Sequence, residues 1–204
     1  LITIGMFMLI SCSNEPVFKV SGTIEGAQKQ MIYLEQNSLT KITIVDSCEI
    51  GKDGSFSLEA ASPSYPDFYN LRIGERSLTL AIDSTEHIQV NCSLNDLPNT
   101  LNITGSEASL EIAKLRASAR TSSREELRKI SQDVIVSNPR SLAAYYAVFL
   151  KQNGNYIWDM SDTKDLRMYQ AVATSFKVWM PEYDRTKNLL TQVEKYIDEQ
   201  RSLR

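Results

Sequence analysis

The stretch that decides the fold is Leu101-Asn102-Ile103-Thr104-Gly105-Ser106-Glu107-Ala108-Ser109-Leu110-Glu111-Ile112-Ala113-Lys114-Leu115. Its first four residues alternate apolar and polar, the period of a strand, and Gly105 interrupts them. Ser106 then stands where a helix needs a cap, and Leu110, Ala113 and Leu115 follow at helical spacing. The change of period coincides with a change of composition along the whole chain. From Cys12 to Thr104 there are 6 Lys+Arg and 12 Asp+Glu, a net −6, whereas Gly105 to Arg204 holds 16 and 13, a net +3. Seven of the eight glycines lie at or before position 105, and both tryptophans, Trp158 and Trp179, lie after it. Strands followed by helices predict an α+β fold rather than alternating β-α units.

Upstream of Gly105, short apolar runs separated by turn residues predict about eight strands in an antiparallel sandwich or barrel. They include Phe18 to Val20 with Ile24, Met31 to Leu34, Phe68 to Ile73, Leu78 to Ile82, Ile88 to Cys92 and Leu101 to Ile103. Ile42, Ile44, Cys48 and Ile50 share one parity, and Gly51-Lys52-Asp53-Gly54 leads on to Phe56 and Leu58, which reads as a hairpin with those side chains inward.

Downstream, four to five helices are predicted. Ser122-Ser123-Arg124-Glu125 resembles a capping box before Leu127, Ile130 and Val134, and Asn138-Pro139 reads as the start of a helix carrying Leu142, Tyr145 and Phe149. Asn153-Gly154 reads as its stop. Ser161-Asp162 opens a helix with Leu166, Tyr169, Ala173, Phe176 and Met180 on one stripe, ended by Pro181, and Leu190, Val193 and Ile197 mark the last. The expected divisions are a partial leader over 1–11, a lipidated linker over 12–16, a sandwich over 17–104 and a helical region over 105–204.

At 204 residues with 42% apolar and 23% charged, the composition excludes a disordered or multi-span membrane chain. A net charge of −3 argues against nucleic acid as a partner. One histidine and three scattered cysteines point to no metal and no cofactor. No residue set specifies a reaction, so the chain reads as non-catalytic.

Leu1 to Ile10 is an apolar run too short to span a bilayer. It ends in Leu9-Ile10-Ser11-Cys12, which resembles the bacterial lipobox and implies cleavage before Cys12 and acylation of that residue. Multiple acyl chains would then anchor the protein stably. Ser13, in place of the Asp associated with inner-membrane retention, points to the outer membrane facing the periplasm, with surface exposure the other option.

The lipobox, Val20-Ser21-Gly22-Thr23-Ile24-Glu25-Gly26, Tyr33-Leu34, Val45-Asp46-Ser47, Lys52-Asp53-Gly54-Ser55-Phe56-Ser57-Leu58, Ile103-Thr104-Gly105-Ser106 and Asn138-Pro139-Arg140-Ser141 come in an order that resembles one family. It is the β-sandwich domain of unknown function found at the N-terminus of lipoprotein thiol-disulfide oxidoreductases of the redoxin type. The resemblance implies a helical segment followed by a thioredoxin-like domain with a Cys-x-x-Cys site. This chain has no such pair to receive the family's catalytic roles.

Cys48 and Cys92 share the parity of apolar neighbours. Two separate buried thiols, a structural disulfide across the sandwich and a redox-active pair are the three readings, the first favoured because reactivity needs an exposed, electropositive setting. His87 reads as a solvated strand residue. Nine aromatics from Tyr145 to Tyr183 suit helix packing, and Tyr145, Phe149, Trp158 and Trp179 are the candidate lining of a partner groove. Two functions follow: a lipid-anchored, non-catalytic envelope module that positions a redox domain, or a stand-alone periplasmic lipoprotein that binds a peptide, glycan or partner protein. The oligomeric state has no signature.

Overall fold

The computed structural model describes residues 15–96 and 100–202. The segment expected to be a leader, Cys12, residues 97–99 and the last two residues lie outside the described residues. The strands are β1 (Val17–Glu25), β2 (Met31–Asn37), β3 (Ile42–Glu49), β4 (Ser55–Ala61), β5 (Asp67–Ile73), β6 (Arg76–Ile82), β7 (His87–Ser93) and β8 (Asn102–Thr104). They form two four-stranded sheets, ordered β4-β1-β7-β8 and β3-β2-β5-β6. Five helices follow, α1 (Glu107–Thr121), α2 (Arg124–Ser137), α3 (Leu142–Val148), α4 (Thr163–Trp179) and α5 (Asp184–Ser202). The α+β arrangement of about eight strands and then helices is therefore what the chain adopts.

The sheets pack face to face around Phe18, Val20, Ile32, Leu34, Leu71, Leu80 and Ile88, all buried. Alternation along β5 and β6 gives the second sheet two buried faces. Tyr69, Leu71, Leu78 and Leu80 point into the sandwich, while Phe68 and Ala81 join the helical core with Ile112, Leu142, Tyr145 and Phe176. The molecule thus has three layers, with the β3-β2-β5-β6 sheet in the middle. The helices also cover the open edge of β6. Ser109 Oγ accepts from the Ala81 N–H at 2.9 Å, and the Ser106 and Ser109 hydroxyls both donate to the Ala81 carbonyl at 3.0 Å.

Four local features depart from the sequence reading. First, β1 and β7 pair in parallel, Val20 opposite Ile88 and Gly22 opposite Val90, within otherwise antiparallel sheets. Sixty-odd residues of other strands intervene, so no hairpin constrains the direction. The contact requires glycine at position 22, where a Cβ would lie 1.9 Å from the Val90 carbonyl oxygen. Second, Ile42 and Ile44 do not point inward and are 60% and 53% exposed. The register between β2 and β3 shifts between Leu34 and Glu35, so Asp46 opposes Leu34 but Ile44 opposes Glu35, and the bulge turns the start of β3 over.

Third, β3 and β4 do not form a ladder. The turn closed by the Gly51 N–H on the Ser55 carbonyl carries the chain from one sheet to the other. Fourth, Asn153-Gly154 does more than stop a helix. Both residues have positive φ, 51° and 82°, and they turn a short hairpin between β9 (Lys151–Gln152) and β10 (Asn155–Tyr156).

The helix caps fall close to expectation. Ser106, Ser123 and Asp162 each accept from backbone N–H groups of the first turn. The helix after Asn138-Pro139 is capped by Ser141 instead, and Asn138 closes α2.

Candidate functional site

Where the middle sheet meets the helices, a buried polar cluster sets the geometry. Asp67, at the start of β5, accepts from Tyr183 Oη at 2.9 Å, from Arg185 Nε at 3.1 Å and from Gln36 Nε2 at 3.3 Å. Arg185 also donates to the Asn37 carbonyl, and its guanidinium lies over the Phe68 ring at 4.9 Å and near the Tyr145 ring at 5.7 Å. Burial alone would depress the Arg185 pKa, but Tyr183, Asp67 and Tyr145 hold it above the usual range. Burial likewise pushes the Tyr183 phenol up, with the Asp67 charge adding to it. One ion pair with the phenol on top therefore joins β5, β2 and the first turn of α5.

Beside this cluster opens a cleft of about 900 Å³, between the middle sheet, α1, α3, the β9-β10 hairpin and α5. Arg116 and Arg120 project from the last turns of α1, Lys151 from the hairpin, and Arg185 forms part of the floor. Arg116 Nη1 donates to Thr79 Oγ1 at 3.2 Å, and the Lys151 ammonium lies 4.4 Å from the centre of the Tyr156 ring. Phe149, Tyr146 and Tyr156 form the aromatic wall, and Leu39 also lines the cleft. Burial raises the Tyr146 phenol while the Arg116 and Arg120 charges pull it down, so both cations act on the same part of the wall. Among the described residues that line the cleft there is no Asp or Glu. The hairpin is fixed by Gln152 Nε2, which donates to the Ala119 and Ser122 carbonyls at 3.3 and 2.9 Å, and by Arg124, which donates to the Tyr156 carbonyl at 2.7 Å.

The four aromatic residues predicted to line one groove separate in space. Tyr145 and Phe149 line this cleft. Trp158 is only 4% exposed and serves the helical core, its Nε1–H donating to Ser131 Oγ at 2.9 Å beneath Arg128. Trp179 is 61% exposed, stacks under Arg140 at 4.8 Å and lines a second cleft of about 990 Å³ with Asp83, Glu86, Glu107 and Glu111. Helical spacing alone could not assign them, because Trp158 lies in the segment between hairpin and α4 and Trp179 at the outer end of α4.

Cys48 and Cys92 are free thiols, the first half-buried against the sandwich core and the second buried within it. Burial pushes the Cys92 thiol up to about 11 and raises that of Cys48. A thiol shifted in that direction is a poor thiolate. His87 is exposed, and its Nε2 lies 2.8 Å from Ser21 Oγ. Among the described residues no group of three or more His, Cys, Asp or Glu side chains could hold a metal ion, and no helix is long and apolar enough to cross a membrane.

Residues 18–111 match the family model of a domain of unknown function, DUF4369. The DUF4369 segment takes in all eight strands of the sandwich and runs into α1, which fits the way Ser106 and Ser109 complete the β6 edge. The match supports the sandwich half of the resemblance and carries no thioredoxin-like partner with it. No curated protein matches. Among solved structures, a 9R-lipoxygenase from Cyanothece PCC8801 aligns at 8% identity and a TM-score of 0.29, over 74% of this chain and 33% of that one, too distant a likeness to carry argument.

Proposed function

We propose that the chain is a non-catalytic, lipid-anchored module of the cell envelope that binds a ligand or partner group in the cleft between sheet and helices. The observation that carries this reading is the cleft itself, a concave site with an aromatic wall and convergent cations, on a scaffold whose described thiols, Cys48 half-buried and Cys92 buried, are unpaired. Anchoring rests on the lipobox-like Leu9-Ile10-Ser11-Cys12. The test uses the full chain with labelled backbone amides, titrated with soluble envelope extract. Amide shifts confined to Tyr145 to Tyr156, Arg116 to Arg120 and Arg185 to Gln192 are expected, whereas shifts spread elsewhere, or none, would overturn it. For the anchor, Cys12→Ser is expected to move the protein from membrane to soluble fraction, and equal membrane recovery would refute acylation.

The resemblance of the ordered sequence motifs favours a second reading, in which the module is the N-terminal part of a thiol-disulfide oxidoreductase lipoprotein and positions its redox domain. Gene sequence downstream of Arg204 that encodes a Cys-x-x-Cys after a strand supports it, and a stop codon there supports the binder.

A further inference from the structure

The lining of the cleft specifies more than a generic ligand. Arg116 and Arg120 are one helical turn apart on the same face of α1, and Lys151 comes in from the hairpin. Like charges at that spacing repel and weaken the helix. None of the three is in an ion pair with a carboxylate among the described residues. Arg185 behaves differently, being buried and already neutralised by Asp67, so it shapes the floor. Three cations without a counter-charge stand over a wall of Tyr146, Phe149 and Tyr156, in a protein of net charge −3. The second cleft is the opposite case, similar in size but lined by Asp83, Glu86, Glu107 and Glu111 with Arg140.

We propose that the basic cleft is a carboxylate site, taking an acid group joined to an apolar or aromatic body. The guanidinium groups and the ammonium meet the carboxylate, while the body lies along the aromatic wall and Leu39. The volume of about 900 Å³ suits a small acid or the last residues of a peptide chain. This rests on the binding reading above, and either a free aromatic acid or a peptide C-terminus presents the required chemistry.

The experiment is calorimetric titration of the full chain with N-acetylphenylalanine, its amide, a peptide ending in phenylalanine as free acid and as amide, and phenyl phosphate. At least one acid is expected to bind tenfold or more tightly than its amide. Arg116→Gln with Arg120→Gln should remove that preference, and Lys151→Gln, a milder change, should reduce it. Lys52→Gln, in the exposed β3-β4 turn, should leave it intact. Preference for the peptide acid assigns the site to chain ends, and preference for N-acetylphenylalanine assigns it to small acids. Acids and amides binding equally would refute the carboxylate assignment while leaving a binding cleft. Phenyl phosphate binding ten times more tightly than either acid would refute it too. Absence of binding by every probe would remove this proposal, while the amide shifts with envelope extract would judge the broader reading separately.

Discussion

Asp67 is the residue through which the sandwich holds the last helix. Its carboxylate receives Tyr183, Arg185 and Gln36, and the side chains of Asp67 and Arg185 are only 10% and 9% exposed. Removing one member of a buried pair leaves the other charge uncompensated, so Asp67→Asn is expected to cost about 3–5 kcal/mol in denaturant titration. No sequence pattern announces this contact, because its partners are 118 positions apart and each looks locally like an ordinary surface residue. Arg128 and Asp165 make a second, bidentate pair next to Trp158. Hydrogen bonding from Arg128 holds the Asp165 carboxyl below its ordinary range. A carboxylate depressed on folding adds stability above the ordinary value of about 3.9, and that contribution is lost as pH falls through the lower folded value. Wild-type protein is therefore expected to lose more stability on acidification below about pH 4 than Asp165→Asn does. Parallel pH profiles for the two proteins would contradict the pairing.

Among the elements, helix starts were the most legible part of the chain. Ser106, Ser123 and Asp162 act through side-chain oxygens on nearby N–H groups, so the signal and the structure it makes lie within four residues. The stripe Leu166, Tyr169, Ala173, Phe176, Met180 is buried as its spacing predicts. Strand parity was less reliable, because one extra residue reverses it. Ile44 keeps the sequence parity of Cys48, yet the bulge at Val45 places it opposite Glu35, on the face turned away from the sandwich core, where it is 53% exposed. Ile44→Thr is expected to change stability by no more than about 0.5 kcal/mol, as at an ordinary surface site. Ile32→Ala, at a fully buried position opposite Cys48, should cost about 2–5 kcal/mol. Similar losses at the two positions would restore the uninterrupted parity. The basic cleft was legible only in fragments. Tyr145 and Phe149 stood out as aromatics, but no sequence pattern marks Arg116, Arg120 and Lys151, which line one cleft only because the hairpin carries Lys151 to it.

At the scale of the molecule, the composition step at Gly105 marks a change of secondary structure without marking a place where the protein divides. The middle sheet is shared, since β5 and β6 send Leu71 and Leu80 into one core and Phe68 and Ala81 into the other. The edge of β6 depends on α1 for the hydrogen bonds of Ala81, and Gly105 holds the crossing close, with φ +86° and a Cβ position only 2.1 Å from the His87 carbonyl oxygen. A sandwich cut after position 105 would expose Phe68 to water and leave that edge open. The whole chain is accordingly expected to unfold in one transition. Tryptophan fluorescence reports only the helical half, where both tryptophans lie, and hydrogen exchange at Ile88 and Val90 reports the buried middle of β7. Their midpoints in urea should coincide, and Asp67→Asn should lower both together rather than the fluorescence midpoint alone. Two separated transitions in the wild type would mean that the shared sheet does not couple the halves, and the cleft between them would then open without unfolding either.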